Sequence, residues 1–223
     1  MRKLMIAAAM MLAAVSAKAQ FEPGTFSIQP KIGLGVATIT NMGDIYFGNN
    51  EKFNNQVTAS VLAGADLEYQ ATKLFSLAAG LNFSSQGTAW ESFKMDGVKT
   101  EDPRIELTYI NLPITANIYV AKGLALKAGV QFGFLTDAEA KFTTKGKIDK
   151  YDTEVNTSID IKDDLKSMDI SIPIGISYET KSHFVIDARY NLGLTKLNKT
   201  SFEGIKDNKN SIFMLTLGYK LKL

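Results

Sequence analysis

Apolar and polar residues alternate with period two from Phe26 onward, with little helical periodicity, and Gly, Thr, Tyr, Ile and Val fill the alternating runs. Val57, Ala59, Val61, Ala63, Ala65, Leu67 and Tyr69 fall on one face, with Thr58, Ser60, Gly64, Asp66, Glu68 and Gln70 on the other, because successive strand side chains point to opposite sides. Another run sets Leu124, Leu126, Ala128, Val130, Phe132 and Phe134 against Lys127, Gly129, Gln131 and Gly133. A third sets Ile170, Ile172, Ile174, Ile176 and Tyr178 against Ser171, Gly175, Ser177 and Glu179. The pattern predicts an all-β chain of eight strands at 26–40, 57–70, 74–86, 107–120, 124–136, 168–180, 184–197 and 211–223.

The predicted connections alternate in length. Segments 71–73, 121–123 and 181–183 are tight, whereas 41–56, 87–106, 137–167 and 198–210 are long and polar. Strands long enough for the about 9 to 11 residues that cross a bilayer, joined by short turns on one side and long loops on the other, describe a transmembrane barrel. The expected fold is therefore an eight-stranded antiparallel up-and-down transmembrane β-barrel with short periplasmic turns and long extracellular loops. Both termini would lie on the periplasmic side. A soluble lipocalin-like barrel shows the same alternation with its faces exchanged. Two features favour the membrane form. The polar faces hold mostly Ser, Thr, Asn, Gln and Gly rather than the Lys and Glu of a wetted surface, and Tyr69, Phe75, Tyr178, Phe184 and Tyr219 gather on the apolar faces near the tight turns as an aromatic girdle.

Residues 1–19 read as a cleaved signal peptide. Arg2 and Lys3 precede a twelve-residue apolar run from Leu4 to Val15, and Ala17-Lys18-Ala19 supplies the small-residue cleavage site; the barrel domain is then 20–223. Loss of Arg2, Lys3 and Lys18 leaves 22 basic against 23 acidic residues, a charge of −1 instead of +2, which gives no reason to expect nucleic acid. The chain lacks cysteine and carries one histidine, His183, which excludes zinc ribbons, CxxC redox sites, thiol nucleophiles and two-histidine metal sites.

If the polar faces point inward, the lumen holds Lys31, Asp66, Glu68, Lys127, Glu179, Asp187, Arg189 and Lys220, four positive and four negative. Closure of the ring would bring Lys31 and Lys220 to Asp66 and Glu68, with Asp187 and Arg189 arriving from the seventh strand. The interior of an eight-stranded barrel is just wide enough for its own side chains, so a charge-paired, mostly closed lumen is expected. Tyr46, Phe47, Phe53 and Trp90 in the outer loops are candidate contacts for a partner or ligand. Segments 141–147 and 154–161 still partly alternate, predicting that the fifth and sixth strands continue as a hairpin with a docking edge.

Other chemistry finds little support. Ser171 and Ser177 lack a G-x-S-x-G context and His183 sits in a predicted turn, which argues against a serine–histidine pair. Gly33-Leu34-Gly35 is not followed by a third glycine or by a strand-to-helix turn. Asp160, Asp163 and Asp164 lack the spacing of a calcium loop. The triplets Asn156-Thr157-Ser158 and Asn198-Lys199-Thr200 match a glycosylation pattern that carries little weight in a bacterium. No cofactor, metal or catalytic residue is expected.

Several stretches together resemble one family. Tyr109-Ile110-Asn111-Leu112-Pro113-Ile114 resembles its Y-L-x-I-P-L strand, and Lys127 to Leu135 its A-G-x-Q-x-G-x-L strand. Ala188-Arg189-Tyr190-Asn191-Leu192-Gly193-Leu194-Thr195 resembles its R-Y-x-x-G-L strand, and Leu215 to Lys220 its closing strand. The family is the Bacteroidetes-type outer-membrane β-barrel domain, the PorT-like or "porin family" proteins. The end Lys222-Leu223 departs from the aromatic terminus such barrels often carry for the assembly machinery. The resemblance implies a bacterial outer-membrane protein, exported by its signal peptide, whose partners are outer-membrane lipids, the outer-membrane assembly machinery and an envelope or surface protein. Fold does not fix function. The expected role is non-enzymatic contact with a partner or ligand through the outer loops. The alternatives are a narrow channel for ions or small solutes, an accessory factor in secretion or surface assembly, or a lipid-modifying enzyme, the last without a convincing catalytic group.

Overall fold

A computed structural model describes residues 21–41, 45–47, 51–53, 55–95, 98–148, 151–199 and 207–223; the predicted signal peptide lies outside them. Eight long strands dominate: β1 (Phe26–Thr40), β2 (Thr58–Gln70), β3 (Phe75–Trp90), β4 (Val98–Ala121), β5 (Leu124–Ile148), β6 (Met168–Glu179), β7 (Phe184–Gly193) and β8 (Lys209–Tyr219). Each pairs antiparallel with its neighbour in sequence, and β8 pairs back onto β1 with Lys31 opposite Gly218. After Lys220, Leu221–Lys222 resumes the pairing with β1.

Alternation decides which side of this ring is which. Along β6, Met168, Ile174, Ile176 and Tyr178 are exposed, while Asp169, Ser171, Ser177 and Glu179 are buried. Around the ring the same inversion holds: Ile174 and Leu217 are 53% and 50% exposed, whereas Asp187 and Arg189 are 1% and 5% exposed. A water-soluble barrel would have its apolar side chains inside, and so wide an exposed apolar belt on a protein marks an interaction surface or a membrane. Among the described residues, no helix is long and apolar enough to cross a membrane, so strands must supply any crossing.

The ring is uneven in height. β4 and β5 run 24 and 25 residues, against 10 in β7, and Tyr151–Asp160 pairs with the far part of β5 while Phe93–Met95 pairs with the start of β4. Ile45–Phe47 and Glu51–Phe53 form a separate two-stranded sheet. The long polar loops expected at 87–106 and 137–167 are thus largely strand, and 141–147 with 154–161 do continue as a hairpin. Hydropathy hides these extensions because both of their faces are mostly polar; cross-strand charge pairs identify them instead. Across β4 and β5, Lys145 Nζ lies 2.8 Å from Glu101 and Lys141 Nζ 2.6 Å from Glu106, while Lys141 with Glu139 at 2.7 Å and Arg104 Nε with Glu106 at 2.6 Å add pairs along a single strand. A register shift between Thr108 and Tyr109, opposite Leu135 and Asp137, marks a bulge where the apolar belt gives way to this charged ladder.

At the same outer end, on the low side of the ring, β7 stops at Gly193 instead of running to Leu197. The Thr195 hydroxyl accepts from the Ile170 amide and donates to Asp169, both at 2.5 Å, which turns the chain across the ring mouth.

At inward-facing Gly129, an added Cβ would collide with the Ile114 carbonyl oxygen and the Thr115 backbone, so Gly129→Val should cost about 1–3 kcal/mol. The measurable result is less of the fast-migrating unboiled form on a gel. Hydrogen bonds from Lys145 and Lys99 hold the Glu101 carboxyl down to about 2, and those from Lys141 and Arg104 lower Glu106. These depressed carboxylates stabilise the extension above the ordinary Glu value, an advantage lost as pH falls toward 2. Amide exchange in 139–145 should therefore quicken below about pH 4 relative to unstructured peptide, while exchange in β6 and β7 is unchanged.

A charged lumen beneath an apolar cap as candidate functional site

All eight charged side chains expected inside the ring are buried there, and they form two clusters. In the cluster nearest the short turns, Lys220 Nζ from the end of β8 lies 3.0 Å from Glu68 on β2 and 3.0 Å from Glu179 on β6. Glu68 Oε1 also accepts hydrogen bonds from Tyr119 Oη at 2.8 Å and Ser76 Oγ at 2.7 Å. Asn117 Nδ2 donates to Ser76. His183 Nδ1 is 2.8 Å from Glu179 Oε1, and its ring stacks on Phe21 at 4.7 Å. His183 has φ 63°, a backbone region that favours glycine, and these two contacts hold its side chain at the mouth.

The second cluster lies two residues further along β2, about 7 Å of strand rise. Lys31 Nζ meets Asp66 at 2.5 Å, and Asp187 Oδ2 takes Lys127 at 2.7 Å and Arg189 at 3.2 Å. Three cations here face two carboxylates, and one cation faces two carboxylates in the first cluster, so each offsets the other. The expected meetings of Lys31 with Asp66 and Lys220 with Glu68 are therefore the ones the strands bring together. Asp187 pairs instead with Lys127, reaching past Gly175 of the intervening β6, and with Arg189 on its own strand.

Above these charges the lumen becomes neutral and then apolar. Gln131 donates to Asn111 at 3.1 Å, and Asn111 and Gln86 donate to Ser84. Gly133, opposite Asn111, leaves room for the Tyr109 ring, which an added Cβ would approach to 3.2 Å. Asp169 is buried here and accepts from Thr195 Oγ1 and, at 3.1 Å, from Asn210 Nδ2; among the described residues it has no ion pair. Over this layer Ile39, Leu107, Tyr109, Leu135, Ala138, Leu165 and Leu197 form one buried apolar cluster. Leu165 and Leu197 come from connecting segments tied together across the mouth: Lys166 N donates to Leu197 O at 2.7 Å, Lys199 N to Asp164 O at 3.0 Å, and Leu197 N to Asn208 O at 2.9 Å.

The remaining expected site residues are distributed as follows. Tyr69, Tyr178, Phe184 and Tyr219 are exposed at the short-turn end and Phe75 is half-buried there. Phe26, which the sequence reading did not include, packs on Tyr69 at 4.8 Å, and Phe184 meets Tyr219 edge-on at 5.1 Å. Trp90 was expected as an exposed loop contact and is instead buried, because β3 extends through it and Asn55 pairs opposite. The side chains of Tyr46, Phe47 and Phe53 lie outside the described residues. Ser171 and Ser177 are buried in the ring wall, their backbones opposite Gly193 and Asp187 of β7. Asp169 and the cap were not read from the sequence, although Asp169 shares the inward phase of Ser171.

Residues 18–199 match the family model described as outer membrane protein beta-barrel domain. The chain belongs to that family. Membership puts this barrel domain in the bacterial outer membrane and assigns its exposed apolar belt to lipid. No curated protein matches the chain. Among solved structures it is similar to Ail, the attachment invasion locus protein of Yersinia pestis, in complex with the heparin analogue sucrose octasulfate, with 14% identity over 90% of this chain and 100% of that one and a TM-score of 0.44. Neisserial surface protein A shows 10% identity over 88% and 97% of the two chains with a TM-score of 0.44. OprG from Pseudomonas aeruginosa shows 12% identity over 92% and 99% with a TM-score of 0.43.

Inside this barrel domain the carboxylates are not equivalent. Asp187→Asn strands Lys127 and Arg189 without their shared carboxylate and should cost about 3–5 kcal/mol. Asp169→Asn removes a charge that no cation balances and keeps hydrogen-bonding capacity, so its effect should stay within about 1 kcal/mol. Urea unfolding followed by gel mobility ranks the two.

Proposed function

We propose that this chain is a non-enzymatic, integral outer-membrane β-barrel of eight strands whose lumen is closed and whose outer extension contacts a partner or ligand. Residues 1–19 serve as its export signal, the short turns face the periplasm and the long β4–β5 extension faces outward. Phe26, Tyr69, Tyr178, Phe184 and Tyr219 then sit at the inner membrane–water boundary, where amphipathic rings are favoured. The motifs at Tyr109–Ile114 and Ala188–Thr195 support the Bacteroidetes-type, PorT-like subtype. Outer-membrane lipids and the assembly machinery are its partners during biogenesis.

The observation that carries this reading is the apolar cap over the ion pairs. Paired charges alone leave a polar interior in which buried groups such as Gln29 Nε2, Asn82 Nδ2 and Arg189 Nε have no protein partner, and such groups are normally met by ordered water. That hydrated interior favours the second reading, a narrow channel. A layer of Ile39, Leu107, Leu135, Leu165 and Leu197 resists wetting and blocks ions at the outer mouth. In planar bilayers the unmodified protein should be electrically silent, and Leu107→Ser combined with Leu197→Ser should produce unitary currents. Steady conductance of the unmodified protein would replace the closed-barrel reading with the channel.

A further inference from the structure

The strand Tyr151–Asp160 ends the sheet. It pairs along its whole length with β5, and among the described residues no strand lies on its other side. The Ile161 amide bonds to the Ala138 carbonyl, which fixes the antiparallel alternation: odd-numbered residues bond to β5, and Glu154, Asn156, Ser158 and Asp160 turn their N–H and C=O groups to the open edge. Natural edges are protected by lysine, proline or bulges. This strand contains neither lysine nor proline, its pairing with β5 is unbroken, and Val155 to Ile159 are uncharged. Its only charges are Asp152, Glu154 and Asp160, and Glu154 and Asp160 are exposed. Val155 and Ile159, on the face opposite these acids, are also exposed, each by about half.

We infer that this edge is a docking site for an extended segment of a partner protein, added as a further antiparallel strand, with Lys or Arg opposite Glu154 and Asp160 and β-branched residues between them. The inference rests on the proposed outward contact role and specifies its place and chemistry. Backbone hydrogen bonds supply the attachment and alternate side chains the selection. A second copy of this chain fits poorly. With Asn156 opposite Ser158, Glu154 falls opposite Asp160 at both ends, and like charges directly opposed are destabilising.

The test uses the full-length protein in nanodiscs and a fluorescent seven-residue peptide, Lys-Val-Thr-Val-Thr-Val-Lys, whose ends match the six-residue spacing of Glu154 and Asp160, with a Glu-ended peptide for comparison. The Lys-ended peptide should bind saturably and about tenfold more tightly than the Glu-ended one. Asn156→Pro with Ser158→Pro removes two outward N–H groups that β5 does not use and should abolish binding while heat-modifiability on a gel persists. Glu154→Lys with Asp160→Lys should reverse the peptide preference, a readout independent of proline tolerance. Failure of the unmodified protein to bind the Lys-ended peptide, binding undiminished by the prolines, or a preference unmoved by the charge reversal would each overturn the edge. None of those results makes the barrel conduct, so they are distinguishable from failure of the closed-barrel reading, which appears as current in the unmodified protein.

Discussion

Every backbone N–H and C=O within a lipid bilayer must find its partner inside the protein, because hydrocarbon offers none. For strands the solution is a ring without edges, and the pairing of β8 with β1 closes it here. Other features of the chain follow from that closure. Each strand shows one face to lipid and one to a narrow interior, so period two becomes a division between two solvents. A one-residue slip would drive Asp187 or Arg189 into lipid, which fixes the register firmly. Where β4 and β5 outrun their neighbours, the ring no longer protects them, and the open edge at Tyr151–Asp160 is the result.

Closure also explains why the interior charges come in balanced clusters. A lone ion in so small a lumen would carry most of its desolvation cost, and Lys127 would stand alone if Asp187 did not span to both it and Arg189. The two clusters, one short of a cation and one short of a carboxylate, are close enough along β2 to neutralise one another. Neutral amides and hydroxyls then separate the charges from the apolar cap, so that polarity declines in steps toward the outer mouth. Asp169 is the exception. Among the described residues it is held by hydrogen bonds, from Thr195 and Asn210 and from the Ile170 backbone, rather than by a cation, and the same Thr195 bonds end β7 and direct Leu197 into the cap.

The ring, its antiparallel up-and-down order and the inward turn of its polar faces were legible because a lipid-facing strand must alternate strictly, and that constraint leaves a plain mark in the sequence. The extensions of β4 and β5 were only half legible, since in water both faces can be polar and hydropathy then loses its period; the alternating charges from Glu139 to Lys145 were the remaining signal. Trp90 was misread because a lone aromatic next to a polar stretch resembles a loop residue until the partner at Asn55 is known. The cap could not be read from strand periodicity at all. Leu165 and Leu197 belong to connecting segments, and only the three-dimensional path that ties Lys166 to Leu197 brings them over Leu107 and Leu135.

The polar interior has a physical origin apart from conduction. A strand as long as β4 or β5 with both faces apolar would present a continuous run of 18 or more apolar residues, which any membrane-inserting system reads as a spanning helix. Alternating Lys127, Gln131 or Asp187 between lipid-facing residues breaks that run at every second position, so no strand reads as a spanning helix. Charges that the alternation places inward must then be accommodated in the folded barrel, and the ion pairs of the lumen do this. On this argument the pairs and the cap answer different demands. The pairs neutralise what the alternating pattern imposes, and the cap lays apolar side chains over the polar interior, so under the proposed closed-barrel reading disrupting the pairs should first weaken the fold whereas disrupting the cap should first open the mouth.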